Sequence, residues 1–205
     1  MKNKIKAVIF DYGGVLCYKQ DDNCIKKMLN ILKINKDDFL YQYKIHRTDY
    51  DKGLINGSKY WKNILKTINL TLNEEIINKL IQIDLKSWDN INNKMIKFIK
   101  KIKSKFEKIA ILSNMHFDFL QLLENKYKWL NLFNEKIFSC NLKLVKPDLS
   151  IYEYCLKKLN YDSSDCLFID DTEDNINAAK NLGIKTILYN TFDDFKKELF
   201  ENYIY

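Results

Sequence analysis

Four separated stretches of this chain each carry an apolar run into a residue that can handle a phosphoryl group. Asp11 follows the run in VIFDYGGVL, Ser113 stands in IAILSN ahead of Asn114, Lys146 stands in KLVKP, and Asp170 with Asp171 ends CLFIDD. A carboxylate can attack an electrophilic centre and form a covalent intermediate. A hydroxyl and a cation can hold the oxygens of a phosphoryl group through charge-assisted hydrogen bonds. Three carboxylates crowded together repel one another unless a cation sits among them, so the acidic residues imply a metal as well as a reaction.

The elements that would bring these residues together can be read from the same runs. Ala7–Phe10 is dense in β-branched and aromatic residues and stops at the turn formers Gly13 and Gly14, the pattern of a short strand buried on both faces. Ile109–Leu112 and Cys166–Ile169 read the same way. Further along, Lys136–Ser139 and Ile184–Tyr189 read as strands. Asp118–Asn125, Leu149–Leu159, Asn175–Leu182 (stopped by Gly183) and Asp193–Phe200 read as helices. Strands alternating with helices predict a doubly wound α/β parallel sheet. Ligands of such sheets bind in the crevice outside the carboxyl ends of the strands, where three polar strand ends would meet.

Together the four motifs identify the chain as resembling the haloacid dehalogenase superfamily, a group of mostly magnesium-dependent aspartate phosphatases. They occur in the family's order and span Asp11 to Asp171. The resemblance implies that Asp11 is the nucleophile and that Ser113, the Asn114 backbone and Lys146 hold the phosphoryl group. It also implies Mg²⁺ bound by Asp11, the Gly13 carbonyl and Asp171, with Asp170 either near the metal or orienting Lys146. Mg²⁺ takes oxygen ligands and keeps several waters, so such a set suffices.

One departure from the family pattern bears on mechanism. Most phosphatases of the family carry a second Asp two residues after the nucleophile, where this chain has Gly13. A glycine keeps the carbonyl for the metal and loses the acid that protonates the leaving group, a contribution of roughly 10² to 10⁴ in rate. The expectation is a preference for phosphate esters whose leaving group needs little protonation. The FDxGxV and FxDD style of motif is shared with a branch resembling sugar phosphatases and the phosphatase domain of epoxide hydrolases.

Residues 17–91 show apolar positions at helical spacing over Cys24–Leu32, Asp38–Tyr43, Ser58–Ile68 and Asn73–Leu85, with Ser58 and Asn73 as N-cap candidates. An insertion directly after the nucleophile strand matches the all-helical cap of many family members, which leaves residues 1–16 and 92–205 as the Rossmann-like core. Within the cap, Arg47 is the candidate for contact with the leaving group, with Tyr50 beside it. His46 could supply the proton that Gly13 cannot. His116 could reach the rim of the cleft. Asp174 and Asn175 read either as partners of the acidic pair or as caps of the following helix. Trp61, Trp88 and Trp129 read as packing residues.

At 205 residues, 46% hydrophobic and 30% charged, the chain has the composition of a soluble globular protein. Its formal net charge of +7 comes from lysines dispersed at helical spacing, with Lys100–Lys105 as the wet face of a helix, which argues against nucleic acid as a partner. Five cysteines without a CxxC spacing read as buried thiols in a reducing compartment. The first strand begins close to Met1, and no apolar stretch approaches the ~20 residues of a membrane span, so a cytoplasmic protein is expected. The function expected is hydrolysis of a small phosphorylated metabolite. The alternatives are a haloacid dehalogenase, a branch that also lacks the second Asp but needs no metal, and a non-catalytic binding protein on the same fold.

Overall fold

The computed structural model describes residues 5–204. Five strands, β1 (Ala7–Phe10), β2 (Lys108–Ser113), β3 (Glu135–Phe138), β4 (Cys166–Asp170) and β5 (Lys185–Leu188), form one sheet in the order β3-β2-β1-β4-β5. Every pairing is parallel. Alternate residues of the three central strands enter two separate cores. Val8, Phe10, Ile109, Ile111, Leu167 and Ile169 face one layer, and Ala7, Ile9, Ala110, Leu112, Cys166 and Phe168 face the other. Burial on both faces is why these strands read as unbroken apolar runs rather than alternating ones.

The first layer is covered by α6 (Asn93–Ile102), α7 (Phe117–Lys126) and α11 (Phe192–Asn202), the second by α9 (Leu149–Leu159) and α10 (Glu173–Asn181), and a single-turn α8 (Ser139–Leu142) follows β3. Register fixes the site. Phe10 lies opposite Ile111 on one side and Ile169 on the other. Asp11, Ser113 and Asp170 therefore emerge together at the carboxyl edge.

Between β1 and β2 the chain builds the helical cap from α1 (Asp22–Leu32), α2 (Lys36–Ile45), α3 (Arg47–Asp51), α4 (Gly57–Thr67) and α5 (Glu74–Ser87). The cap has its own core, in which Met28, Phe39, Tyr60, Trp61, Ile64 and Leu80 are fully buried. Entry and exit run side by side, with Cys17 and Ile91 in an antiparallel bridge and Asn92 N–H donating to the Leu16 carbonyl at 2.9 Å.

Asn73 caps α5 as its sequence suggested, but α4 is capped by Asn56, which accepts from the Lys59 N–H, and not by Ser58. Ser58 is a helical residue that faces Glu74. An Asn two residues upstream outcompetes it because Asn at the cap accepts the N–H of the third helical residue as well as Ser does. The short α3 has too few residues to show a period and was not expected. All five cysteines are buried free thiols. Among the described residues no helix is long and apolar enough to cross a membrane.

Candidate active site

The turn after β1 is where backbone geometry meets chemistry. Asp11 stands extended, and its Oδ1 accepts from the Tyr12 N–H at 2.6 Å. The chain then closes a wide turn in which the Cys17 N–H donates to the Tyr12 carbonyl. Gly14 has φ of +70°, and a Cβ there would lie 2.1 Å from Asp171 Oδ2. Only glycine lets the turn pass that close to the acidic pair. Gly13 differs, since its φ of −63° suits any residue and a Cβ would meet only Trp88 at an ordinary 3.6 Å. The absence of a second Asp is thus a matter of chemistry, and no backbone constraint enforces it.

Lys146 joins the motifs. Its Nζ lies 2.8 Å from Asp11 Oδ1 and 2.6 Å from Asp170 Oδ2, and the side chain is almost fully buried. The Asn114 side chain clamps the Lys146 backbone from both sides. Its Nδ2 donates to the Lys146 carbonyl and its Oδ1 accepts from the Lys146 N–H, each at 2.8 Å. The sequence motif implies a role for the Asn114 backbone only, and this side-chain clamp on Lys146 is an addition to it.

Asp170 is surrounded by donors. Oδ2 accepts from Lys146 and Oδ1 from the Thr172 N–H at 2.8 Å, and Asn175 Nδ2 donates to both oxygens. Asn175 is therefore a partner of the acidic pair, whereas Asp174 is exposed in the first turn of α10. Ser113 is buried at the end of β2, its Oγ 3.5 Å from the Asn114 carbonyl.

Ligand oxygens of Asp11, Asp170 and Asp171 lie within 4.8 Å of one another. Burial, opposed by Lys146 and reinforced by Asp170, raises the Asp11 carboxyl to about 7. Burial and then Asp170 likewise raise Asp171. Burial works against the Lys146 charge, but Asp11 and Asp170 overcome it and hold the ammonium protonated. A hard divalent cation would relieve the strain between these carboxylates, and the donor chemistry fits one. The oxygens of Asp170 are already engaged, so Asp11 and Asp171 are the carboxylates with room for it.

Above these residues lies a cavity of about 510 Å³ between core and cap. Its cap side includes Lys19, Gln20, Tyr43, Arg47, Asp51 and Trp88. Arg47 does line it, but as one member of a network. Its Nε donates to Asp51 Oδ1 at 3.0 Å, and its Nη1 donates to the Tyr43 hydroxyl at 2.6 Å and to Asp84 Oδ2 at 3.2 Å. Trp88 also lines the cavity, with its Nε1 donating to Tyr43 at 3.1 Å, which a packing assignment did not anticipate. Trp61 is core, and Trp129 packs against the first layer.

His46 hydrogen-bonds Thr67 at 3.1 Å and does not line the cavity. His116 does, as the N-cap of α7, with Nδ1 accepting from the Phe119 N–H and its ring stacked 3.8 Å from that of Tyr50. Burial, followed by the field of Arg47, lowers its pKa, so it is neutral. Tyr50 itself donates to Asp118 at 2.6 Å, tying cap to core.

The family model of haloacid dehalogenase-like hydrolases matches residues 5–183. A D-ribitol-5-phosphate phosphatase of Bacteroides thetaiotaomicron is 23% identical over 95% of this chain and 97% of its own length. A drimenol cyclase of Aspergillus calidoustus is 33% identical over 40% of this chain, a match that spans only 15% of that protein. The crystal structure of a HAD family enzyme from B. thetaiotaomicron in complex with magnesium and inorganic phosphate superposes with a TM-score of 0.76 at 22% identity, covering 94% of this chain and 98% of that one. The motifs, the parallel sheet and the family match agree: this chain belongs to the haloacid dehalogenase-like hydrolases.

Proposed function

We propose that the protein is a magnesium-dependent phosphatase that hydrolyses a small phosphorylated metabolite through an aspartyl phosphate on Asp11. The observation that carries this reading is Lys146 Nζ seated between Asp11 and Asp170, with Asp171 held against Gly14 on the same strand ends. Asp11, Asp171 and the Gly13 carbonyl would hold Mg²⁺, which when bound would neutralise charge on the phosphoryl oxygens.

The free oxygen of Asp11 attacks phosphorus, the new O–P bond forms, and the bond to the leaving oxygen breaks. Ser113, the Asn114 backbone and the Lys146 ammonium hold the transferred group, which asks mainly for position and charge. Asp170 keeps Lys146 in place, and Asn175 and Thr172 keep Asp170 in place. Water then hydrolyses the aspartyl phosphate to release phosphate and regenerate Asp11. Gly13 offers no proton to the leaving oxygen, and the neutral His116, whose Nδ1 already accepts a hydrogen bond, is a poor acid. Leaving groups that depart as weak bases should therefore react fastest.

The cap, taken as residues 17–91, roofs the cavity and selects the leaving group. A sugar phosphate that leaves through its anomeric oxygen, a weaker base than a polyol alkoxide, is the favoured class, and the relative named for D-ribitol 5-phosphate supports a hydroxylated leaving group. Five buried thiols support a reducing, cytoplasmic setting. The test is p-nitrophenyl phosphate hydrolysis with Mg²⁺, with EDTA, and after Asp11→Asn. Metal-dependent release that the variant lacks is expected. Release that survives both EDTA and Asp11→Asn would overturn the reading.

A further inference from the structure

Arg47 is the cation on the cap wall, and its charge is already spent. Two carboxylates hold it, Asp51 from one helical turn along the same element and Asp84 from α5, at 3.0 and 3.2 Å. All three side chains are largely shielded from solvent, at 17%, 13% and 1% exposure. A guanidinium facing two carboxylates has no net positive charge to offer, whether or not one of them binds a proton. Apart from the exposed Lys19, the remaining polar groups on this wall are uncharged. The Tyr43 hydroxyl donates to Asp84 and accepts from Gln20, Arg47 and Trp88, so it is saturated. Gln20 uses its N–H groups on Tyr43 and Ser87, which leaves its carbonyl to face a ligand. Lys19, exposed at the mouth, acts on Asp171 and so belongs to the metal end of the cavity.

We infer that the Asp51–Arg47–Asp84 triad makes the cap wall reject a second anionic group, so that the enzyme selects monophosphates whose leaving group is uncharged and hydroxylated. A terminal carboxylate or second phosphate arriving there would meet two buried carboxylates and one committed cation, and like charges brought together in a partly dry site are costly. A hydroxyl meets the opposite situation, with carboxylate and amide oxygens to accept from it. Discrimination by such repulsion is as effective as discrimination by attraction. Asp84 touches no ligand, since it lies behind the wall, and acts as a positioning residue through Arg47. The inference rests on the phosphatase reading.

The test uses matched pairs that differ only in a terminal CH₂OH or carboxylate: glycerol 3-phosphate with 3-phosphoglycerate, and D-ribitol 5-phosphate with D-ribonate 5-phosphate. Each is measured as a competitive inhibitor of p-nitrophenyl phosphate hydrolysis. The hydroxyl member should bind more tightly by about tenfold or more in the wild type. Asp51→Asn and Asp84→Asn should narrow that gap, and Arg47→Met should widen it, a change of opposite sign that general damage to the cap would not produce. If Asp84→Asn does not fold, Asp51→Asn at the cavity edge decides alone.

Equal or tighter binding of the carboxylate member would overturn the inference, as would a gap that neither Asn variant changes. Competition by no member of either pair, with hydrolysis intact, counts against it too. If p-nitrophenyl phosphate is not hydrolysed, the phosphatase reading falls instead. The same pairs titrated calorimetrically against the Mg²⁺-loaded protein then decide the inference, with equal affinities overturning it.

Discussion

The core and the cap each bury one cation between two carboxylates, and they put that same charge pattern to different use. At the sheet edge, Lys146 lies between Asp11 and Asp170, with Asp171 close by. In the cap, Arg47 lies between Asp51 and Asp84. In the core triad Asp11 and Asp170 stand at strand ends fixed by the parallel ladder, Lys146 stands in a turn clamped by the Asn114 side chain, and Asp11 and Asp171 are left with oxygens to share. The cap triad hangs on helices, and its cation is committed to Asp51, Asp84 and the Tyr43 hydroxyl. Preorganised charge with open valences can do chemistry, whereas preorganised charge with closed valences can only shape what approaches.

Breaking the core triad should have the larger effect. Lys146→Met leaves Asp11 and Asp170 buried without their cation, and a broken buried pair costs about 3–5 kcal/mol. Chemical denaturation in EDTA should show that loss, and Mg²⁺ should recover more stability in this variant than in the wild type, because the cation it brings to Asp11 offsets a charge that Lys146 no longer does. The equivalent change in the cap, Arg47→Met, should also destabilise, but Mg²⁺ should stabilise it by no more than it stabilises the wild type, because its metal ligands are intact, which separates the two triads directly.

Gly14→Ala comes next. Its Cβ would fall 2.1 Å from Asp171 Oδ2 at a φ of +70°, so Asp171 must move. Calorimetric titration should find Mg²⁺ affinity lowered by roughly 10- to 100-fold, the range seen when ligand positioning is disturbed. Gly13→Asp sharpens the contrast from the other side, because the backbone there accepts any residue. Rates on alkyl phosphates should rise relative to p-nitrophenyl phosphate by up to about 10²-fold, the scale of general acid catalysis.

The smallest effect concerns His116 at the seam between the two regions. Burial holds its pKa below the ordinary value of about 6.5 when folded, so the unfolded chain binds the extra proton as pH falls. Stability present above pH ~6.5 is therefore lost on acidification, by about 1.4 kcal/mol one unit below that value for a fully excluded proton. Asn at this position keeps an N-cap and cannot titrate. The difference in unfolding free energy between wild type and His116→Asn should shift by about that amount between pH 7.5 and pH 5.5.

What the sequence disclosed divides along the same line. Ala7–Phe10, Ile109–Leu112 and Cys166–Ile169 were legible because strands buried on both faces must be apolar throughout, and the polar residue that ends each run is where the chain leaves the core. Asp11, Ser113 and the acidic pair followed from those ends, and Lys146 from its place in KLVKP. The clamp by the Asn114 side chain was not legible, since it joins residues 32 apart in sequence, and the hold of Asn175 on Asp170 was legible only as one of two readings, because periodicity alone does not orient the helix that carries it. The cap was legible as helices and nothing more. Arg47 was picked out, but its neutralisation depends on Asp84, 37 residues away on α5, and a spacing of that length carries no signal. Gly14 read as a turn former, while its real requirement, the approach of Asp171, exists only in the folded chain.

The central claim is that Asp11 becomes phosphorylated. A single turnover with Mg²⁺ and acetyl phosphate, quenched in acid and followed by peptide mass spectrometry, tests it most directly. A phosphoryl adduct on the peptide bearing Asp11, absent after Asp11→Asn and formed more slowly after Lys146→Met, is the predicted result. Phosphate release without any adduct on Asp11, or an adduct that persists in Asp11→Asn, would contradict the account.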